Sequence, residues 1–217
     1  MTPILILGGG GHARVIIDLI RALDGYRIAG VLDDHHSAGD VAGVPVLGTI
    51  DDIQKHASGG CGGVVAIGDN AVRCGVVERL AGLADALTFV SLVHPSAVVA
   101  PDVRIGAGSV IMAGAVVQTG SVIGRHCVVN TAASLDHDNV LADFASVGPG
   151  AVTAGGVRLG EQSFLGIGSV VRQGVSIGAR TFVGAGSLVL DDLPADVLCY
   201  GAPARVVRPR QPGERMR

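Results

Sequence analysis

From Ala97 onward the apolar positions of the chain recur every six residues. Cut at that point, the sequence divides into AVVAPD, VRIGAG, SVIMAG, AVVQTG, SVIGRH, CVVNTA, ASLDHD and NVLADF. The same frame continues as ASVGPG, AVTAGG, VRLGEQ, SFLGIG, SVVRQG, VSIGAR, TFVGAG and SLVLDD. Sixteen hexads thus run from 97 to 192 without an insertion. Their third position is aliphatic in fifteen cases, and Thr153 is the exception. A period of six fits neither the helical stripe nor simple strand alternation. It fits short strands joined by tight turns, each strand sending one side chain into a narrow axial core. Glycine and small residues stand where the backbone turns, many with positive φ. Three such sides close a triangular coil of about 18 residues, so the segment predicts a little over five stacked coils around one aliphatic column.

The first 95 residues follow a different pattern. Pro3–Leu7 reads as a buried strand, followed by Gly8-Gly9-Gly10-Gly11-His12 and a helix with Val15, Ile16, Leu19, Ile20 and Leu23 on one face. Tyr26–Leu32 reads as a second strand ending at Asp33-Asp34. Gly63–Ile67 is a third, followed by Gly68-Asp69-Asn70 and a helix through about Leu83. Strands alternating with helices predict a small parallel βαβαβ sheet. Thr88–Val93 then leads to His94-Pro95, where the hexads take over. The expected organisation is an α/β domain over 1–95, a left-handed parallel β-helix over 96–193, and an extension and tail over 194–217.

Composition narrows this picture. The 217 residues include no Trp, six Phe or Tyr, and 34 Gly, so the core must be built from Val, Ile, Leu and Ala. A net charge of −3 gives no electrostatic reason to expect nucleic acid. Cys61, Cys74, Cys127 and Cys199 are scattered and form no CxxC pair, which reads as reduced small hydrophobes in a cytoplasmic protein. The opening MTPILILGGGGH lacks a basic run and is expected to be a strand, not a signal peptide. No apolar stretch reaches the length needed to cross a bilayer. The tail Arg205–Arg217 carries five arginines and two prolines, and beyond Val207 it is expected to be solvated and poorly ordered.

Two places carry candidate chemistry. Gly8-x-Gly10-x-x-Ala13 follows a strand, opens a helix and precedes Asp33-Asp34 by about 20 residues. Glycines there let backbone amides approach phosphate at a helix N-terminus, and a carboxylate holds ribose hydroxyls. A tight strand-to-helix turn without a ligand has the same glycines. A dinucleotide needs two βαβαβ halves and the chain has room for one, so a mononucleotide such as the nucleoside diphosphate of an activated sugar fits better. Gly68 and Asn70 end the third strand at the same sheet edge. The second place is Asp136-His137-Asp138, at positions four to six of its hexad and pointing away from the column. It is either a solvated turn or a general base, because imidazole titrates near neutrality and a carboxylate partner orients it. His126 has no acidic neighbour and is expected at the surface. No metal is expected, since a hydratase on such a helix would need three histidines and the hexads hold only His126 and His137. A structural or ice-binding helix would favour a regular threonine array, which is absent.

With these residues in place, the chain resembles the hexapeptide-repeat sugar acetyltransferases of the bacillosamine-pathway N-acetyltransferase and sialic-acid O-acetyltransferase type. The resemblance rests on GGGGHA, VLDD at 31–34, AIGDN at 66–70, NTAASLDHD at 130–138, FLGIG at 164–168 and GAPAR at 201–205. It implies a homotrimer with active sites between subunits, with acetyl-CoA as cosubstrate lying between neighbouring helices and a nucleotide sugar held by the N-terminal domain. The implied base is His137 with Asp138 as its orienting acid, and Asn130 lies near the acceptor amine. Gly10, Gly11, His12, Asp33, Asp34 and Gly68 would hold the nucleotide sugar. Ser146, Gly166, Ile167 and Ala185 match coenzyme positions. The bacillosamine pattern has Glu at the position of Asp138 and His at that of Ser146; the first change keeps the carboxylate with a shorter reach, and the second replaces an imidazole by a hydroxyl. The implied reaction is direct acetylation of a 4-amino-4,6-dideoxy sugar, of the GDP-perosamine kind that feeds lipopolysaccharide O-antigen. Acetylation of a UDP-linked amino sugar, or of a sugar hydroxyl, is the alternative.

Overall fold

The structure, a computed structural model, describes residues 1–36, 38–57, 60–81, 87–211 and 213–215. The apolar opening forms β1 (Thr2–Leu7), and its Ile4, Leu5, Ile6 and Leu7 are fully buried. It lies between β2 (Tyr26–Leu32) and a strand at Gly62–Val65, both parallel to it. A hairpin of β3 (Asp40–Val41) and β4 (Val44–Gly48) extends the sheet beside β2. With Gly62–Val65 as β5 and Thr88–Phe89 as β6, the order is β3-β4-β2-β1-β5-β6. Segment 40–56, which also holds a short helix at Ile53–His56, has no periodicity long enough to announce itself.

The first long helix, α1 (Gly11–Arg21), buries Ala13, Ile16, Ile17, Leu19 and Ile20. Val15, expected on the buried face, is 44% exposed, and Ile17 takes its place. The reason is a second packing surface: Leu92, Val110, Met112 and Val128 of the β-helix join the cluster around α1, so sheet and β-helix together set its buried arc. The third strand of the sheet ends at Val65, before the expected Ile67; Ala66 still donates to Leu7 O at 2.7 Å, and the chain then turns. Asp69 caps the next long helix, Asn70–Leu80, by accepting from Val72 N at 3.0 Å. The expected end near Leu83 lies outside the described residues.

Each of the sixteen hexads supplies a two-residue strand, from Val98–Val99 to Leu188–Val189. Strands three hexads apart pair in parallel, which builds three sheets around one column, the left-handed β-helix. The third positions from Ile111 to Val189 are at most 2% exposed, including Thr153. The expectation of one inward side chain per hexad is corrected, because the first position also points in. Ala115, Ala133, Ala145, Ala151, Ser109, Ser163 and Asn139 are all at 0%. The column therefore alternates large and small side chains, so that the buried aliphatics of successive coils form one continuous cluster. Sixth positions make the corners in the left-handed region, even without glycine: His126, Ala132, Asp138, Phe144, Gln162 and Arg180 have φ of 53–61°.

The coil ladder begins at Leu92–Val93, paired with Val110–Ile111, and continues to Val197–Gly201, paired with Phe182–Val183. A final strand, Ala204–Pro209, folds back antiparallel on Val197–Gly201. The tail thus stays on the surface past Val207, where Arg208 pairs with Glu214 and Arg210 donates to Arg180 O. The expected disorder there is corrected for the described part; residues 212, 216 and 217 lie outside it. No helix among the described residues is long and apolar enough to cross a membrane.

The outward second positions give each face its character. The docking face carries Val110, Val128 and Ser146 under the α/β domain. The next face carries Val98, Val116, Val152, Val170 and Leu188, with Val98 63% exposed. The third is more polar, with Arg104 and Arg158. Arg73, 1% exposed, fastens the two domains: its guanidinium donates to Ile67 O, Gly68 O and Asn70 on one side and to His126 O, Phe144 O and Ser146 Oγ on the other.

Candidate active site

At the carboxyl edge of the sheet, Gly8–His12, Asp33–His35, Ile50, Ala66–Gly68 and Val72 line a pocket of about 220 Å³. Gly8 turns with φ 107°, and a Cβ there would meet Ile67 at 2.7 Å, so the turn requires glycine. Gly10 and Gly11 face open space at the N-terminus of α1, where free amides and the helix dipole favour an anion. His12 contributes a buried Nε2 with no partner among the described residues. Burial, and the nearby Arg73 charge, push this imidazole down to about 4, so it stays neutral.

The two aspartates are already engaged. Asp33, 6% exposed, accepts from Gly9 N at 2.6 Å, His35 N at 2.8 Å and His36 N at 2.7 Å, and meets His36 Nδ1 at 3.0 Å. Burial would raise its carboxyl, but the Gly9, His35 and His36 hydrogen bonds outweigh it and hold it below the usual range. Asp34 pairs with Arg79 at 2.9 Å and accepts from Ile50 N at 3.0 Å. Both carboxylates shape the pocket wall.

On the β-helix, His137 stands half-exposed at a corner. Its Nδ1 lies 2.8 Å from Asp138 Oδ2. The left-handed φ of 58° at Asp138 belongs to the turn that brings the two side chains together. Asp138 first, then Asp136, raises the imidazole above its ordinary value. With Nδ1–H donated to Asp138, Nε2 is the free basic nitrogen. The ring lies against Gly155 of the next coil, where a Cβ would stand 2.4 Å from Nε2. Asn130 is partly buried and accepts from Thr131 N at 2.8 Å.

Ile167 and Ala185 share another corner, joined through Gly186 N to Ile167 O at 2.8 Å. Gly166 lies beneath it; a Cβ there would sit 2.6 Å from Ala185 N. A shallow cavity of about 580 Å³ runs from Ala185 to Phe182, Leu198 and Tyr200. Ser146 is 2% exposed with its hydroxyl bonded to Asn70 Oδ1 at 2.6 Å, so it offers no surface to a coenzyme in this chain. His126 is likewise not a surface residue: it is 4% exposed, stacked on Phe144 at 5.2 Å and edge-on to Phe89 at 4.7 Å. Burial, then Arg73 and Arg125, push it to about 4. Two residues around these sites were not anticipated. Arg73 gives no signal in a helical sequence, whereas Asn139 is the single asparagine among the hexad first positions. Among the described residues no cluster could hold a metal ion.

The family model of the PglD N-terminal domain matches residues 3–80. Over its length the chain is similar to a histidine-to-asparagine mutant of perosamine N-acetyltransferase from Caulobacter crescentus, solved in complex with CoA and GDP-perosamine. The identity is 40%, the TM-score 0.89, and 95% of this chain and 97% of that one are covered. The acetyltransferase domain of PglB from Neisseria gonorrhoeae FA1090, in complex with acetyl coenzyme A, is 38% identical with TM-score 0.89 over 94% and 98%. UDP-N-acetylbacillosamine N-acetyltransferase of Bacillus subtilis is 37% identical over 123 residues, 52% of each protein, so that match spans about half of the curated relative. A β-helix with a histidine–carboxylate corner, joined to a nucleotide-type pocket, defines a hexapeptide-repeat acyltransferase. The chain belongs to the family of nucleotide-sugar N-acetyltransferases of the PglD and perosamine type.

Proposed function

We propose that this protein transfers the acetyl group of acetyl-CoA to the 4-amino group of a nucleotide-linked 4-amino-4,6-dideoxy sugar, with GDP-perosamine as substrate. The observation that carries this reading is the His137–Asp138 pair at 2.8 Å on an exposed corner, in a chain whose full-length likeness is solved with CoA and GDP-perosamine. Gly10, Gly11, His12 and Gly68 hold the diphosphate and sugar, and Asp33 and Asp34 keep their loops in place. His137 Nε2 takes the proton of the amine as nitrogen attacks the thioester carbonyl, and the C–S bond breaks. The proton on the imidazolium then passes to the departing thiolate, so the base is regenerated. Asp138 holds the tautomer and stabilises the imidazolium between these steps. Asn130 orients the amine, and Gly166, Ile167 and Ala185 seat the coenzyme.

The same reading makes the enzyme a homotrimer. The turn holding His137 leads from the Val152–Val170 face to the Arg104–Arg158 face, and the Ile167 turn leads from the docking face to the Val152–Val170 face. The two corners therefore flank one apolar face from opposite edges. Packing three copies with that face inward sets the His137 corner of one chain beside the Ile167 corner of the next. Four free buried thiols support a reducing, cytoplasmic setting, and the product is suited to O-antigen assembly.

The test is turnover of acetyl-CoA against GDP-, UDP- and dTDP-linked 4-amino sugars, beside the same sugars with a 4-hydroxyl. The expected outcome is the highest kcat/KM with GDP-perosamine. Preference for the 4-hydroxyl compounds would replace N- by O-acetylation, and preference for UDP would move the carrier.

A further inference from the structure

Hexad first positions point inward and are small, and several share one hydrogen bond. Ser109 Oγ donates to Gly124 O at 2.6 Å and Ser121 Oγ to Asp136 O at 3.2 Å, in each case fifteen residues onward. These bonds tie the inside of one corner to the next. Asn139 occupies the same position, 0% exposed, and makes the same bond, Nδ2 to Ala154 O at 3.0 Å. It is longer than serine, and the extra reach goes backward: Nδ2 also donates to Asp136 O at 2.7 Å and His137 O at 3.3 Å. The amide orientation follows from its surroundings, because a reversed amide would press its oxygen against three carbonyls. The outcome is a buried Oδ1 with no partner among the described residues, an unfavourable feature that an alanine here would avoid.

We propose that Asn139 is a positioning residue for acetyl transfer, its buried amide locking the Asp136–His137 turn to the next coil so that the imidazole stays against Asp138 and over Gly155. The inference rests on His137 as the base. The side chain touches neither substrate; it acts on the two carbonyls that flank the His137 Cα. The neighbouring coil completes the seat, since Gly155 leaves the ring its space and Ala154 supplies the third acceptor.

Asn139→Ser separates this role from a structural one. Serine already fills five other first positions, Ser109, Ser121, Ser163, Ser169 and Ser187, at 0–1% exposure. At 139 it has the reach of the forward bond that Ser109 and Ser121 make, and it loses the backward ones. In the full chain, Asn139→Ser is expected to melt within a few degrees of the parent and to hold both KM values within about twofold. Its kcat falls about 10-fold, in keeping with a loosened catalytic group. The acidic limb of its kcat/KM profile moves toward ordinary imidazole as the Asp138 bond loosens. Combined with His137→Asn, it adds less than about twofold, because it has no base left to position. Full kcat in Asn139→Ser, a loss confined to KM or to melting, or losses that multiply in the double variant would each overturn the proposal. Should His137→Asn alone keep more than about a third of kcat, the base assignment falls and this inference with it, an outcome read from that single variant.

Discussion

At the scale of single residues, the proposed mechanism turns on one imidazole whose proton affinity is set by its neighbours. His137 is a base only when unprotonated, and Asp138, then Asp136, raises it above the ordinary imidazole value. The kcat/KM of the parent therefore falls as pH drops through a limb set higher than that of an ordinary imidazole, and Asp138→Asn moves that limb down. The sugar amine also titrates, and the difference between the two profiles isolates the histidine. His137→Asn, on an exposed turn, is expected to keep its fold and lose roughly 10²–10⁴-fold in kcat. Coincident limbs for parent and Asp138→Asn would dissociate the carboxylate from the base. His137 was legible because a polar triple interrupts a regular hexad. His126 and Ser146 were not, because the groups that bury them, Phe89, Asn70 and Arg73, lie about 37–76 residues away in a domain with different grammar. Asn139 could have been found, as the one large polar side chain among small first positions.

The hexad as an element explains why this half of the chain was so readable. A repeat that cannot bury its own aliphatic must be satisfied by identical neighbours, so local pattern and tertiary contact coincide. The sheet domain offers no such redundancy: the Asp40–Gly48 hairpin and the burial of Ile17 in place of Val15 depend on packing between unlike surfaces. The one polar side chain among the inward third positions is Thr153, 1% exposed, with an Oγ1 that finds no partner among the described residues. Leu135 and Val171 lie directly below and above it in the ladder. Thr153→Val replaces the hydroxyl by a methyl of nearly equal size, and is expected to raise stability by about 1 kcal/mol and the melting temperature by a few degrees. A lower melting temperature would mean that this hydroxyl is satisfied in solution, by a water in the column.

At the scale of the whole molecule, the two corners to which the proposed mechanism assigns base and coenzyme cannot meet within one chain. His137 and Ile167 stand 30 residues apart, five hexads, which in a three-sided coil places them on different edges of the triangle. Both edges border the face of Val98, Val152 and Val170, whose exposures of 63, 41 and 46% are unusual for flat aliphatic surface. The proposed cyclic trimer, burying this face, joins unlike edges at every interface, so that each site would draw its base from one chain and its coenzyme seat from the next. This arrangement has a consequence that a single-chain site does not share. His137→Asn and Ala185→Trp are each expected to be inactive, the first without a base and the second with the coenzyme corner blocked by a ring. When the two are unfolded together in equal amounts and refolded, random assembly gives some interfaces an intact His137 from an Ala185→Trp chain and an intact corner from a His137→Asn chain. Half of the chains supply each part, so about a quarter of the sites recover and the mixture regains about a quarter of parental kcat at unchanged KM. Refolding the variants separately and then combining them leaves the activity near zero until subunits exchange. If the co-refolded mixture forms trimers and stays inactive, the base and the coenzyme seat belong to the same chain, and the edge-to-edge geometry is wrong.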